Sequence, residues 1–455
     1  MQKIDTDILI LGGGLSGLLS ADLISKTQKR IVILEKERNL GGLAQTIDFN
    51  GFKFDIGGHR ICFNRKENID YLKSLVRKDL LVYSKGKIKN FFNNRYVDYP
   101  MSLFSLWDID AKYIINILFD MLRLKKKKRQ NNFEEWVISN YGKCLYKIYF
   151  KDYTEKVWGE SCDRLSSSWA DKRIGKNDLF NLIKNILFQD YAVKDVSPFF
   201  YYPMKGMGNF IESLSQRLQN TACHMYKSVC FNSQFCHNNG KLQSISFISD
   251  NQTFEIFFNR IISTIPIKEL LKILPGLSTE TIMGLNREIK YRSLILVNLI
   301  VNKKLISNWH WCYFASKDIL FSRIHEPKFW SKDMAPLDKT LLCVEIFCNY
   351  NDIYWNMKDQ ELIRQVKNAL KNIGRYDIHD NIINGVVKRI EYAYPVHYWG
   401  FEQALNRIKN YVNTFKNMHL VGRSGTHSYF DMEECLENVR DLVNNLFSDS
   451  CGISK

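Results

Sequence analysis

Hydrophobic and polar positions follow two different rhythms along this 455-residue chain. Ile4 to Leu11 turns apolar towards its end and stops at Gly12-Gly13-Gly14. Leu15 to Lys26 then places Leu15, Leu18, Leu19, Leu23 and Ile24 at helical spacing, which predicts an amphipathic helix. Ile31-Val32-Ile33-Leu34 is a second unbroken apolar run, ending at Glu35. This order of strand, turn, helix and strand makes a βαβ unit, whose strands are covered on both faces and lack polar alternation. From Lys66 to about Asp190 helical periodicity takes over, as in Tyr113 to Leu124 with Ile114, Ile117, Leu118, Met121 and Leu122, and in Phe133 to Val137. Strand-like runs return at Phe247-Ile248, Ile261 to Thr264, Leu294 to Val301 and Leu341 to Phe347. A helix is expected over Gln360 to Ile373, and an amphipathic helix over Glu433 to Leu446 near the end. No internal repeat or Gly/Ser linker divides the chain, so its first and last segments are expected to share one sheet.

The first chemistry-bearing motif lies in the βαβ unit. Gly12-Gly13-Gly14-Leu15-Ser16-Gly17 is a G-x-G-x-x-G directly after a strand and opening a helix. Gly12 permits a tight turn, Gly14 lets the backbone approach a pyrophosphate, and Gly17 lets the helix pack on the strand. The helix N-terminus offers free N–H groups and a partial positive charge to phosphates. Glu35, 18 residues beyond Gly17, ends the second strand where a carboxylate accepts ribose hydroxyls, with Lys36 beside it. Gly206-Met207-Gly208 lacks a third glycine, so a second dinucleotide domain is not indicated.

Composition narrows the class further. At 45% hydrophobic and 25% charged, with 8 prolines, the chain is globular rather than collagenous or disordered. Sixty-four Lys and Arg against 48 Asp and Glu give +16, which favours an anionic partner. The run Lys125-Lys126-Lys127-Lys128-Arg129 reads either as a solvated helix end or as a weak contact with an anionic membrane surface. Nucleic acid is not expected, because no recognition module is present. The eleven cysteines form no C-x-x-C and no zinc pattern with histidine, so no metal site is expected. Their often apolar neighbours read as reduced core thiols. No signal-peptide layout and no run of 18 apolar residues is found, and a cytoplasmic location is the expectation.

Leu40-Gly41-Gly42-Leu43-Ala44-Gln45-Thr46, followed by Phe54-Asp55-Ile56-Gly57-Gly58-His59, resembles the flavin-binding start of the amine oxidase, protoporphyrinogen oxidase and UDP-galactopyranose mutase superfamily. Further segments are similar to the mutase branch: Gly57 to Phe63, Tyr153 to Gly159 with its K-V-W, Leu165 to Ala170, Tyr202 to Gly208, Phe321 to Arg323, Tyr392 to Pro395, and Gly422 to Tyr429. Ser428 departs from the pattern, standing where such mutases usually carry a second arginine. The resemblance implies noncovalent FAD, with NAD(P)H as transient reductant. The fold class it implies is α/β with α+β elements: a Rossmann-like FAD-binding domain (1–75, 203–270 and 415–449) interleaved with a mainly helical domain (76–202) and a sheet-containing substrate domain (271–414).

By the same resemblance, Gly12, Gly14, Leu15, Ser16 and Gly17, then Glu35 and Lys36, then Gly42 and Leu43, then Gly57, Gly58 and His59, and finally Gly422, Arg423 and Met432 contact the cofactor. His59, Arg323, Arg423, Tyr394 and Tyr429 form the catalytic set. The two arginines clamp a nucleotide-sugar diphosphate, since planar charged forks suit phosphate oxygens. The implied activity is a ring-contracting isomerase of polysaccharide biosynthesis with reduced flavin N5 as nucleophile. Five alternatives stay open: Arg323 as a sheet-face arginine in an ion pair, His59 as a satisfied loop histidine, Tyr394-Pro395 as an ordinary turn, a flavin oxidoreductase of the amine oxidase type, and a flavin-bearing scaffold without turnover.

Overall fold

The computed structural model describes residues 1–77, 81–99, 111–123, 130–168, 170 and 199–447. Two large sheets organise them. The first has eight strands and is centred on β1 (Gln2–Leu11). On one side β1 pairs in parallel with β2 (Ile31–Leu34), which pairs in parallel with Cys223–Tyr226. On the other it pairs in parallel with Gln252–Ser263, which also takes Met418–Leu420 in parallel and Lys241–Ser249 antiparallel. Segments from both ends of the chain thus share this sheet. Side chains alternate across it. Ile8, Ile10, Ile31 and Ile33 pack with residues of the helices Leu15–Ser25, Met207–Gln219 and Met432–Phe447. Leu9, Leu11, Val32 and Leu34 meet Ile267–Ile273 and Phe401–Val412. Coverage on both faces is why these strands read as continuous apolar runs.

The second sheet has seven strands, in the order Ile382–Val396, Lys290–Val301, Thr340–Cys348, Arg323–His325, Trp311–Phe314, Ile88–Phe92 and Arg95–Tyr99. Thr340–Cys348 is buried at every position, including one glutamate, Glu345.

The helical reading of 66–190 holds for Lys66–Leu75, Ala111–Arg123, Phe133–Leu145 and Lys151–Trp158. It misses the five-residue strands Leu81–Lys85, Ile88–Phe92 and Arg95–Tyr99. Leu81–Lys85 pairs with Phe199–Pro203, and Ile88–Phe92 with Trp311–Phe314. Partners so distant in sequence decide strand formation where a short window carries little periodicity. Lys125–Arg129 and Trp169 lie outside the described residues.

Two helix ends bear on the site. Asp431 caps Met432–Phe447: its carboxylate accepts from Glu434 N at 2.8 Å and Glu434 returns a contact to Asp431 N at 2.8 Å, a reciprocal capping box. Gly159 closes Lys151–Trp158 at φ 68°, and a side chain there would meet Arg292 Nη1 at 2.6 Å. The ten described cysteines are unpaired; six are buried, but Cys230 and Cys236 are exposed, against their reading as core thiols. Among the described residues no helix is long and apolar enough to cross a membrane.

Candidate active site

The glycine motif sits at the C-terminal ends of the parallel strands, where open α/β sheets bind ligands. Gly12 adopts φ 98°, and a Cβ there would meet Thr264 Oγ1 at 2.5 Å. A Cβ on Gly17 would overlap the carbonyl oxygen of Gly12, so the helix lies directly on the turn. Gly14 differs. Its φ of −72° suits any residue, and a Cβ there would find nothing closer than Gly42 Cα at 3.8 Å. Gly41 N donates to Gly13 O at 2.8 Å, which lays the Gly41-Gly42-Leu43 turn alongside the first. No side chain caps the helix beginning at Leu15. Open space over Gly14 and an uncapped helix N-terminus fit a pyrophosphate.

Glu35 is buried beside that opening. Its Oε2 accepts from Gly13 N at 2.6 Å and its Oε1 from Glu37 N at 2.8 Å. Burial raises its carboxyl above the ordinary value, against these backbone donors. Each oxygen retains acceptor capacity for a ribose hydroxyl. Lys36 is exposed next to it. Gly422 packs so tightly on Ser16 that a Cβ would overlap its hydroxyl, and its N–H donates to Asn438 Oδ1 at 2.9 Å. Met432 opens the adjoining helix.

A buried carboxylate that the sequence shows only within the Phe54 to His59 motif fixes the next turn. Asp55 accepts from Thr46 Oγ1 at 2.5 Å, Tyr202 OH at 2.7 Å and Met207 N at 3.0 Å. Gly208 N donates to Thr46 Oγ1 at 2.6 Å, so Asp55 and Thr46 together cap the helix Met207–Gln219. Burial raises the Asp55 carboxyl to about 6.

The five expected catalytic residues converge. Arg423 Cζ lies 4.7 Å from the Tyr394 ring centre and 4.4 Å from that of Tyr429, and the two rings stack at 5.4 Å. Arg423 Nη1 and Nη2 donate to the carbonyls of Phe430 (3.1 Å) and Ala393 (3.2 Å), while its buried Nε meets no acceptor. No carboxylate pairs with Arg423 among the described residues. Arg323 donates through Nε (2.9 Å) and Nη2 (2.7 Å) to Oε2 of Glu345, which is 0% exposed. The ion-pair alternative for Arg323 is therefore realised. Glu345 Oε1 also accepts from Gly58 N at 3.0 Å, so one carboxylate holds both the arginine and the Gly57-Gly58-His59 loop.

His59 Nδ1 lies 3.2 Å from Gly57 O. A carbonyl only accepts, so Nδ1 carries the hydrogen and Nε2 is a bare acceptor. Desolvation, then the charges of Arg423 and Arg323, push His59 down to about 4, and it is neutral at pH 7. Burial pushes Tyr394 above the ordinary tyrosine range, and the same two arginines act against it.

Trp158 borders both tyrosines, at 5.9 Å from Tyr394 and 5.4 Å from Tyr429. Tyr153 and Tyr313 pack edge to face at 5.3 Å, and the charges of Arg323 and Glu345 both bear on Tyr153. In the sequence Trp158 and Tyr153 stand out only as parts of a motif, and Glu345 and Tyr313 belong to none. Glu345 had a signal: a lone carboxylate inside an apolar run must be partnered when that run is buried.

The model of an NAD(P)-binding Rossmann-like domain matches residues 10–76. All-trans-retinol 13,14-reductase of Rattus norvegicus is 40% identical over 63 residues, 14% of this chain and 10% of that protein. The chain aligns with a tenth or less of the length of each such retinol reductase. Among solved structures, reduced UDP-galactopyranose mutase superposes with a TM-score of 0.81 at 20% identity, covering 97% of this chain and 94% of that one. A putrescine oxidase double mutant gives 0.63 at 12% identity, covering 98% and 100%. The chain therefore carries an NAD(P)-binding Rossmann-like domain, and its overall fold is the one seen in UDP-galactopyranose mutase and putrescine oxidase.

Proposed function

We propose that this chain is a flavoenzyme acting on a nucleotide-activated sugar, a ring-contracting isomerase of the UDP-galactopyranose mutase kind. The coarser reading, a flavin-dependent enzyme of the oxidoreductase and amine oxidase type, is supported by the Rossmann match and the shared fold. Arg423 carries the finer one. Its guanidinium lies against two tyrosine rings with no carboxylate partner among the described residues, beside an Arg323 whose charge Glu345 already balances. One excess positive charge in a part-buried place favours an anionic ligand.

FAD, held without a covalent bond, would supply when reduced the nucleophilic centre for such an exchange, with NAD(P)H as transient reductant. Gly12, Gly14 and Gly17 would cradle its pyrophosphate and Glu35 its ribose; the domain division given by the resemblance is part of this reading. Arg423 and Arg323 would orient the diphosphate and stabilise it as it departs, and the hydroxyls of Tyr394 and Tyr429 would donate to it. Neutral His59 would offer Nε2 as an acceptor without adding charge.

The second reading, a net oxidoreductase, is favoured by the short sequence matches, which include a retinol reductase and a carotenoid 3,4-desaturase. The two readings part under anaerobic conditions. Reduced protein is incubated with a panel of nucleotide sugars and the products resolved chromatographically. Rearranged sugar with the flavin still reduced supports the isomerase. Flavin reduction of the oxidised protein by an amine, porphyrinogen or polyene, without sugar rearrangement, supports the oxidoreductase.

A further inference from the structure

Lys156, inside the K-V-W segment, bridges two parts of this cluster. Its Nζ donates to the carbonyls of Phe314 (3.1 Å), Ser316 (2.8 Å) and Phe321 (2.7 Å). These carbonyls belong to the connection between Trp311–Phe314, which carries Tyr313, and Arg323–His325. Two residues on, Trp158 packs against Tyr394 and Tyr429. Arg292, 7% exposed, holds the same helix end: it donates to Val157 O (2.9 Å), Lys156 O (3.1 Å), Phe347 O (3.2 Å) and Asn349 Oδ1 (2.6 Å).

We infer that Lys156 is a positioning residue: its ammonium ties the K-V-W helix end to the Tyr313–Arg323 hairpin, and so sets where Arg323 stands relative to Trp158, Tyr394 and Tyr429. The inference deepens, and rests on, the reading of that cluster as the substrate site. An ammonium has three N–H donors, and all three are used on backbone carbonyls, with no carboxylate in bonding range among the described residues. A side chain needed only for packing would be apolar here. Removing the ammonium strands acceptors at three points of one short connection, which must then move to find water.

Burial also lowers Lys156 to about 7, opposed by the charges of Asp152 and Asp318. The neighbouring charges are Arg292, and Lys317 with its partner Glu155 at 2.6 Å. A neutral amine keeps two donors instead of three, so alkaline pH frees one carbonyl of the connection.

The test uses flavin-loaded protein, hydrogen exchange of residues 314–322 and titration with uridine diphosphate. Lys156→Met should keep its FAD, exchange this segment faster and bind uridine diphosphate on the order of tenfold more weakly. Lys156→Arg should recover part of both effects. In wild-type protein, protection of 314–322, corrected for intrinsic exchange, should fall between about pH 6 and about pH 8.5, and in Lys156→Met it should not. Equal protection of this segment in wild type and Lys156→Met overturns the inference. Should Lys156→Met lose its flavin, the wild-type pH series decides, and flat protection overturns it. Wild-type protein that ignores uridine diphosphate defeats the nucleotide-sugar reading, while the exchange data still judge the brace.

Discussion

Arg323 and Glu345 stand directly opposite each other across an antiparallel ladder, and Glu345 binds Gly58 N with its other oxygen. Side chain and loop are thereby fixed by one buried carboxylate. Glu345→Gln keeps an acceptor for Gly58 but leaves Arg323 without its counter-charge. Losing one partner of a buried pair should cost about 3–5 kcal/mol of stability. Affinity for uridine diphosphate should rise, since Arg323 then lacks a competing anion. Denaturant unfolding and calorimetric titration measure both, and an unchanged midpoint would refute the pairing's role.

Gly14 and Gly17 should separate binding from folding. Gly14→Val has room for its Cβ in the protein alone, so it should fold and yet lose most of its flavin, because the valine occupies the pyrophosphate's place. Gly17→Val should fail to fold, because its Cβ overlaps Gly12 O. Visible absorbance per protein and circular dichroism report the two outcomes. Full flavin occupancy in Gly14→Val removes the cofactor assignment.

Arg423→Ala and Arg323→Ala should each weaken uridine diphosphate binding by about 1.5–3 kcal/mol, on the order of ten- to a hundredfold. Lysine at either position should restore only part, because a point charge does not reproduce a planar fork. Arg423→Ala should also loosen the Tyr394–Tyr429 stack that its guanidinium faces. Titrations followed by flavin fluorescence, with flavin content checked in parallel, test this. Equal affinities in all variants would pass the lead to the oxidoreductase reading.

Asp55 makes stability depend on pH. Burial raises its carboxyl from 3.8 to about 6, despite three hydrogen bonds that favour the ionised form. The folded protein therefore holds this proton more tightly than the unfolded chain. The contribution is complete below 3.8 and lost as pH rises through about 6. A displacement of this size corresponds to about 3 kcal/mol. Wild type should thus gain on Asp55→Asn by up to about 3 kcal/mol as pH falls from about 7 to about 4. Urea unfolding of both proteins at both pH values measures this, and a constant difference between them contradicts it.

Local order was legible where chemistry and periodicity coincide. Gly12, Gly14 and Gly17 lie between a strand and a helix, and Glu35 follows the second strand, because phosphate binding needs those residues at that spacing within one βαβ unit. The Asp431–Glu434 capping box is equally local, closing within one turn of chain. The strands Ile88–Phe92 and Arg95–Tyr99 were not, since their hairpin joins the sheet through Trp311–Phe314, more than two hundred residues away.

The sequence by itself determined the glycine-rich turn, the helices Leu15–Ser25 and Met432–Phe447 beside it, and five expected site residues that the structure brings together, because each rests on contacts within a few tens of residues or on a motif. Tertiary structure alone decided the charge balance of the site. Arg323 is neutralised because a distant strand sets Glu345 opposite it, and Arg423 is not, because its neighbours are two tyrosine rings and two carbonyls. Which arginine keeps an unbalanced charge depends on distances of a few ångströms in a medium of low dielectric, and those distances follow from strand register rather than from residue order.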